Sequence, residues 1–338
     1  MKIAYFPLQA HCFAFGGFEI QMLSAFQAIK QYNERTDLQV ERIDLWNREC
    51  DFDIAHFWGL ELANYNNIFW AKKSGVKVVL TALLGYMEGP VAQAKHMVAK
   101  YIGPGKRIHQ LVQLVDCLVV VNEMQKTIAI KYYGFDEDMV HVVPNCISEK
   151  FFTSMQASDI QSDDKYVLCT GNICVRKNQL ALVHACIQSQ TNLVLVGKVL
   201  DGEAEYGKMI AELVEKHQNI TWIKGLNEHS DELVRLIKNC ACFALVSTSE
   251  NQPISLLEAA ASQKPLIISD RAFAKQRFFE NAYLVNPGSV ADINVAIKSV
   301  LDNPSKYITS PEIMGACTER AIAMGYIDTY NYVYAGGK

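Results

Sequence analysis

The strongest constraint on the fold is an alternation of short apolar runs with longer amphipathic segments. The runs, such as those at 3–6 and 117–121, have the length and composition of buried strands. In the segment after the first run, Met22, Phe26 and Ile29 recur at the spacing of one helix face. Parallel strands need long crossover connections, which are usually helices, so the alternation predicts an α/β protein with parallel sheets.

The pattern occurs in two sets, and a polar stretch at 154–165 separates them. We therefore predict two doubly wound, Rossmann-like domains that face a cleft, one at 1–150 and one at 151–310. A helical segment at about 311–334 is expected to pack back on the first domain. The predicted strands are 3–6, 38–43, 54–57, 76–81, 117–121 and 140–143 in the first set, and 166–170, 193–196, 220–223, 242–246, 266–269 and 283–285 in the second.

Composition argues against several classes of protein. The 338 residues carry a formal net charge of −4 and neither half is notably basic, which argues against nucleic acid as a partner. No apolar run reaches the roughly 18 residues of a membrane-spanning helix, and the first residues lack the features of a signal peptide. We therefore expect a cytoplasmic protein, with docking on the inner face of a membrane left open.

Ten cysteines are present without any C-x-x-C pair. Several lie inside apolar runs, as Cys117 and Cys242 do. A buried reduced thiol behaves as a small apolar side chain. We therefore expect free thiols rather than disulfides or a zinc site.

A glycine pair, Gly16-Gly17, lies between the first strand and the helix that follows. Glycine lets the backbone approach a ligand, and a helix start presents unpaired N–H groups with a partial positive charge. The loop can therefore bind a phosphate group, although a plain turn also explains two glycines. The G-x-G-x-x-G fingerprint is absent, which argues against an ordinary NAD site, and the stretch at 103–106 lacks the spacing of a P-loop.

Two adjacent cations, Arg176 and Lys177, follow the first strand of the second set, just after Gly171-Asn172. They precede a predicted helix, and a helix dipole disfavours cations at the N-terminus. Their placement against this preference indicates an anion nearby. The alternative is a pair of solvated surface cations.

The most specific feature is a pair of glutamates, Glu250 and Glu258. Glu250 follows the predicted strand at 242–246 and so lies at the edge of the sheet where ligands bind in open α/β folds. Pro253 favours the first turn of a helix, which places Glu258 on that helix about a turn behind the loop. Such a pair can accept hydrogen bonds from two sets of vicinal hydroxyls, and the N–H groups between them can bind phosphate or sugar oxygens.

These residues resemble glycosyltransferase family 4, retaining enzymes of the GT-B fold, and the similarity extends over nearly the whole chain. The family signature is a glutamate, seven residues, a second glutamate, a helix of small residues, a proline and an apolar strand. Here these features are Glu250, Glu258, 259–262 and 265–269. Further matches lie at 16–17, 53–56, 142–145, 195–198, 225–226 and 284–288.

The resemblance implies that a nucleotide-diphosphate sugar is the donor and that the second domain binds most of it. It assigns the ribose hydroxyls to Glu258, the donor sugar to Glu250 and the diphosphate to Lys177. It also places the N–H of Gly17 on the diphosphate, and Gly197 and Gly225 beside the base. The residues expected to bind the donor are Gly16, Gly17, Gly171, Asn172, Gly197, Gly225, Leu226, Gln252, Pro253, Ile254, Ser255 and Glu258.

The chain departs from the family pattern at two positions. Asn172 stands where the family usually has arginine, and we expect Arg176 to supply the missing cation. Leu83 stands where many members have the histidine of a Thr-x-His motif.

Three residues are candidates by location for the acceptor side of the site: His11, His56 and Glu88. Each lies in or beside a loop that follows a predicted strand of the first domain, or on such a strand. For His56 a second interpretation stays open, namely a histidine whose hydrogen bonds are satisfied within the fold.

By this resemblance the protein transfers a sugar to an acceptor hydroxyl with retention of configuration, and the acceptor is a glycan, a lipid-linked molecule or a protein. The expected catalytic residues are Glu250, Lys177 and Arg176. Cations and helix N-termini can stabilise the departing diphosphate electrostatically, so we expect no metal and no cofactor. A metal-dependent transferase is the rival, because residues 51–53 read D-x-D, but this motif precedes a strand and so lies at the wrong edge of the sheet.

Three alternatives remain open from the sequence. One is a sugar-nucleotide epimerase of the same fold, and another is a catalytically impaired subunit that binds a donor. A two-domain solute-binding protein is the third, although the glutamate pair argues against it. Separately, the segment at 95–109 is basic with interleaved apolar residues, which suits either anionic lipid or a solvated helix face.

Overall fold

A computed structural model describes residues 1–13, 15–34, 37–86, 89–153, 165–227 and 230–337. The chain divides into two compact units. Unit 1 consists of Met1–Cys146 and Cys317–Lys338, and unit 2 of Ile147–Ala316. These limits lie a few residues from the expected domain ends at 150 and 311. Most of the polar stretch at 154–165 lies outside the described residues.

Strands and helices alternate along the chain. The strands are β1 (Lys2–Phe6), β2 (Gln39–Arg42), β3 (Ile54–Trp58), β4 (Lys77–Thr81), β5 (Cys117–Val120), β6 (Val140–Val142), β7 (Tyr166–Thr170), β8 (Asn192–Val196), β9 (Ile220–Ile223), β10 (Cys242–Leu245), β11 (Leu266–Ser269) and β12 (Tyr283–Val285). The α-helices are α1 (Gly17–Tyr32), α2 (Tyr65–Lys73), α3 (Pro90–Ala99), α4 (Gly103–Val112), α5 (Glu123–Ile128), α6 (Gln179–Ser189), α7 (Ala204–Lys216), α8 (Asp231–Asn239), α9 (Ile254–Ala261), α10 (Val290–Asp302), α11 (Pro311–Met314) and α12 (Glu319–Tyr334).

Each unit is built on a parallel sheet of six strands. The order is β2-β1-β3-β4-β5-β6 in unit 1 and β12-β11-β10-β7-β8-β9 in unit 2. Every strand pair in both sheets is parallel. The predicted α/β class with doubly wound sheets is therefore confirmed, and each predicted strand is present within a few residues of its expected limits.

Helices cover both faces of each sheet, which explains why central strands such as β3, β5 and β10 are buried along their whole length. In unit 1, one core lies between the sheet and the pair α1 and α12. A second core lies between the opposite face and α2, α4 and α5. The segment Cys317–Lys338 therefore completes the first core of unit 1.

Two further expectations from the sequence concern the state of the cysteines and membrane-spanning helices. All ten cysteines are free, and eight of them are buried. Within the described residues, no helix is both long enough and apolar enough to cross a membrane.

A chain of hydrogen bonds crosses the core of unit 1. The hydroxyls of Tyr5 and Tyr330 lie 2.7 Å apart, and the Tyr330 hydroxyl lies 2.8 Å from Nδ1 of His56. Nε2 of His56 lies 2.8 Å from Oγ1 of Thr81. All four side chains are buried. His56 is thus a satisfied core histidine, as its second interpretation proposed, and it presents no atom to a ligand.

We predict that the change Tyr330→Phe destabilises unit 1. It leaves a buried nitrogen of His56 and the Tyr5 hydroxyl without their shared partner, at a cost of about 1–3 kcal/mol. Calorimetry should show a lower melting temperature. The control Tyr334→Phe changes a tyrosine of the same helix that is 57% exposed and should have no effect. Equal melting temperatures for the two variants contradict the prediction.

The burial of His56 also predicts acid sensitivity. Burial lowers the pKa of His56 from 6.5 to about 3, so below pH 6.5 the unfolded chain binds a proton that the folded protein does not. The free energy of unfolding should therefore fall as the pH is lowered through this window, by up to about 1.4 kcal/mol per pH unit. In denaturant titrations, His56→Asn should flatten this slope, whereas replacement of the exposed His184 should not. A slope unchanged in His56→Asn refutes the assignment.

Candidate active site

The predicted cations and the first predicted glutamate meet at the carboxyl edge of the sheet in unit 2. β7 and β10 are neighbours there, and the strand order reverses between them, which opens a gap for ligands in this class of fold. Arg176 and Lys177 lie in the loop after β7, and Glu250 lies in the loop after β10. Oε1 of Glu250 is 2.8 Å from Nη1 of Arg176 and 2.9 Å from Nζ of Lys177.

The three charged side chains of this cluster differ in how far they are exposed to solvent. The side chains of Lys177 and Glu250 are only 11% and 9% exposed, whereas that of Arg176 is 50% exposed. Burial raises the pKa of Glu250, but the charges of Lys177 and Arg176 more than offset it and hold the pKa below its ordinary value. Glu250 is therefore an anion at neutral pH. One carboxylate faces two cations, so the cluster keeps a net positive charge.

This finding refines the argument from the helix dipole. The sequence indicates an anion beside Arg176 and Lys177, and in the structure Glu250 is that anion. It neutralises only one of the two positive charges. The remaining charge lies at a ligand-binding edge of the sheet, where an anionic ligand is favoured.

Backbone contacts hold the two loops together. The N–H and the hydroxyl of Thr248 donate to the carbonyl of Arg176 at 2.8 and 3.1 Å. In return, Nη1 of Arg176 donates to the carbonyl of Ser249 at 2.7 Å. The guanidinium is thus fixed by a carbonyl and a carboxylate of the same loop, although half of the side chain remains exposed.

Asn178 is a further residue of the site that the sequence analysis missed. It adopts a left-handed backbone conformation with φ of 57°, which asparagine tolerates better than most residues. Its side-chain amide donates to the carbonyls of Val246 and Pro287 at 3.1 and 2.8 Å. It therefore ties together the loops after β7, β10 and β12. An asparagine directly before a helix was the signal that could have indicated this position.

Two of the predicted glycines make room for the cluster. Gly171 follows β7 with φ of +134°, and a Cβ there would lie 3.3–3.4 Å from the end of the Lys177 side chain. Gly197 follows β8, and a Cβ there would lie 2.0 Å from the carbonyl oxygen of Gly171. Close backbone approach thus requires glycine at 197. The neighbouring Asn172 is exposed, and its carbonyl accepts from the amide of Gln179 at 2.9 Å.

The helix behind Glu250 begins one residue later than the proline suggests. Pro253 is the N-cap residue and α9 starts at Ile254. Ile254 and Ser255 are half-buried, whereas every later residue of the helix is buried, including Glu258, which is 6% exposed. The first-turn N–H groups of a helix lack intrahelical acceptors, so Ile254 and Ser255 can offer donors at the half-buried start of α9.

The side chain of Gln252 has a structural role. It is buried, and its amide donates to Oε1 of Gln276 at 2.8 Å. The amide of Gln276 donates in turn to the carbonyl of Asn251 at 2.8 Å. Gln276 therefore fixes the loop that carries Glu250. The sequence gives no local signal for this contact, because the two glutamines are distant along the chain.

Gly225 and Leu226 follow β9 at the same edge of the sheet. Gly225 has φ of +108°, and a Cβ there would lie 2.9 Å from the Lys198 side chain. Leu226 is half-buried. The structure thus places these two residues and Gly197 on adjacent strand ends, since β8 and β9 are neighbours.

The structure places only some of the site residues predicted in unit 1 where a ligand could reach them. Gly16 and Gly17 do lie at the N-terminus of α1, but the carboxylate of Glu19 already accepts a hydrogen bond from the N–H of Gly16 at 2.8 Å. His11 lies in the loop after β1, and its Nε2 has no hydrogen-bond partner among the described residues. Glu88 lies outside the described residues.

The D-x-D residues occupy the amino edge of the sheet in unit 1, as the sequence places them. Asp51 lies 2.6 Å from Nζ of Lys2, and Asp53 accepts from the N–H of Lys2 at 2.8 Å. Both contacts fasten the entry of β3 to β1. In the described part of the chain, no three His, Cys, Asp or Glu side chains are grouped in a way that could hold a metal ion.

Comparison with known proteins bears on both units. Residues 150–316, just under half of the chain, match the family model described as "Glycosyl transferases group 1". No curated protein matches the sequence.

Among solved structures, Anabaena Alr3699/HepE in complex with UDP is similar with a TM-score of 0.75 and 16% identity, over 98% of this chain and 100% of that chain. Sucrose-phosphate synthase from Thermosynechococcus elongatus gives a TM-score of 0.75 and 16% identity over 99% of both chains. A glycosyltransferase from Rickettsia africae ESF-5 gives 0.72 and 12% over 100% of this chain and 99% of that chain. The chain therefore has the two-domain α/β fold of these proteins, the GT-B fold that the sequence predicts.

We predict that Gly197→Ala destabilises unit 2 by about 1–3 kcal/mol, because the new methyl group forces the backbone of Gly171 to move. The matched control is Gly315→Ala, where a Cβ meets nothing within 4 Å and the backbone is helical. That variant should be neutral or slightly stabilised. Calorimetry on both variants measures the difference in stability. Equal melting temperatures would show that the close approach of Gly197 to the Gly171 backbone does not limit the stability of unit 2.

Proposed function

We propose that this protein is a glycosyltransferase that moves a sugar from a nucleotide-diphosphate sugar to an acceptor hydroxyl, with unit 2 as the donor-binding unit. The observation that carries the proposal is the cluster of Arg176, Lys177 and Glu250 at the carboxyl edge of the sheet. The family match at 150–316 covers the same unit and supports it.

The two cations suit the leaving group of such a reaction. A nucleoside diphosphate gains negative charge as the bond to the sugar breaks, and fixed positive charges near it lower the barrier. Lys177 is largely buried, so its charge acts through a medium less polar than water. Arg176 is more exposed but is held by two contacts, and it takes the place of the arginine that Asn172 replaces.

Glu250 suits the sugar. It is an anion at neutral pH, and the shortest contact of each cation is to its Oε1. A carboxylate has about four acceptor sites on its two oxygens, so Glu250 can also accept hydrogen bonds from hydroxyls of the donor sugar. Glu250 then has two roles, because the carboxylate that binds the sugar also positions the cations that bind the diphosphate.

Neighbouring elements of unit 2 can bind the remaining parts of the donor. The N–H groups of Ile254 and Ser255 at the start of α9 can bind donor oxygens, and Glu258 on the same helix can accept from the ribose hydroxyls. Gly197 and Gly225 border the base. A uridine donor is the first choice to test, since Alr3699/HepE was solved with UDP and with UDP-glucose.

Two finer features belong to the same proposal. Transfer proceeds with retention of configuration, which the resemblance of the glutamate segment implies. It needs no metal ion or other cofactor, because Arg176 and Lys177 supply positive charge where the diphosphate departs. The acceptor is a glycan, a lipid-linked molecule or a protein.

We predict that Lys177→Ala weakens binding of UDP-glucose roughly tenfold to a hundredfold, as expected for loss of a charge-assisted contact, and lowers turnover further. Arg176→Ala should have a smaller effect on binding because the side chain is half exposed. Thermal shifts with UDP-, GDP- and ADP-glucose measure binding, and nucleotide release measures turnover. The control Lys216→Ala removes an exposed lysine of the same unit and should change neither.

The outcomes separate the alternatives. Nucleotide release that depends on an acceptor supports a transferase, whereas epimerised sugar from the donor alone supports an epimerase. Tight binding without turnover supports a donor-binding subunit. Failure of every nucleotide sugar to shift the melting temperature overturns the proposal. Loss of activity with EDTA and its recovery with magnesium would refute metal independence, and an inverted anomeric centre in the product would refute retention.

A further inference from the structure

One surface of unit 1 is apolar where a soluble protein is normally polar. Val91, Met97, Val98, Tyr101 and Ile102 are 55–68% exposed. They lie on α3 and on the turn that leads to α4, and together with α4 they are called here the α3–α4 surface. Surface helices normally turn their apolar stripe inwards, but α3 contributes no buried side chain in the part of the chain that is described.

The apolar side chains are contiguous. Positions 91, 94 and 98 of α3 follow one another at helical spacing and so share one face, and Tyr101 and Ile102 follow in the turn after the helix. Ala94, Val98, Ala99, Ile102 and residues 103–105 line a depression of about 770 Å³ between the two helices. Val98 and Ile102 thus lie side by side along one depression, and an exposed apolar grouping of this kind marks a contact surface.

The segment that forms this patch carries formal charge of a single sign. Residues 89–115 contain four cations and no aspartate or glutamate, although the whole chain carries a net charge of −4. Lys106 and Arg107 are exposed on α4, and Nζ of Lys100 lies 5.0 Å from the centre of the Tyr101 ring. Within the described residues, no carboxylate pairs with these three side chains.

We propose that the α3–α4 surface docks on a membrane that contains anionic lipid. Aliphatic side chains and a tyrosine can enter the boundary between headgroups and acyl chains, while Lys100, Lys106 and Arg107 contact anionic headgroups. Nucleic acid suits the cations but gains little from Val98 and Ile102. The proposal concerns a surface remote in sequence from the residues of the donor site and does not depend on the proposed function.

The test is sedimentation with vesicles of phosphatidylcholine, with and without phosphatidylglycerol. The protein should bind the mixed vesicles more tightly than the neutral ones, and added salt should weaken the binding. The triple variant Lys100→Gln, Lys106→Gln, Arg107→Gln should bind roughly a hundredfold more weakly, at about fivefold for each cation. Its matched control replaces the exposed Lys208, Lys216 and Lys298 of unit 2 by glutamine and should bind as the original protein does.

A second variant tests the apolar part: Val98→Ser, Tyr101→Ser, Ile102→Ser should also lose most of the binding. Its control replaces Met209, Leu284 and Val295, which are 44–55% exposed on unit 2, by serine. All variants should keep the melting temperature of the original protein and its shift with nucleotide sugars. Equal binding to both kinds of vesicle, no binding at all, or equal losses in variants and controls would overturn the proposal.

Discussion

The loops after β7 and β10 meet because their strands are neighbours in a parallel sheet, and the charged cluster at the carboxyl edge of unit 2 depends on that contact. Glu250 of one loop pairs with Arg176 and Lys177 of the other. Thr248 adds two hydrogen bonds to the carbonyl of Arg176. A substitution that separates the loops removes the positioned cations and the positioned carboxylate together, since neither loop holds its own charged residues in place.

The same contact explains how two cations are kept beside a helix N-terminus that disfavours them. Glu250 balances one charge, and the carbonyl of Ser249 accepts from the guanidinium. The cations are thus oriented before any ligand arrives, which reduces the reorganisation needed when an anion binds. Glu250 contributes to this preorganisation as a buried carboxylate whose pKa the two cations hold below its ordinary value.

Local patterns in the sequence predict the strands, their parallel arrangement and the loops that carry Arg176, Lys177 and Glu250. They do so because strand length, crossover length and strand-end position depend on neighbours along the chain. They do not predict the contacts of Asn178, Gln276 or His56, whose hydrogen bonds join residues far apart in sequence. For Gly16 we predict from the sequence an open helix N-terminus, whereas in the structure the carboxylate of Glu19 accepts from its N–H; a glutamate three residues after the N-cap was the local signal for this contact.

The first core of unit 1 contains Tyr326 and Tyr330 of α12, so this unit needs residues that follow the whole of unit 2 in the chain. During synthesis on the ribosome, unit 2 can fold as soon as its own segment emerges, whereas the sheet of unit 1 waits with one face uncovered. Throughout that interval His56 lacks the Tyr330 hydroxyl that satisfies it. Nascent chains that stall before α12 are therefore expected to be substrates for chaperones, and the exposed face is the part that chaperones bind.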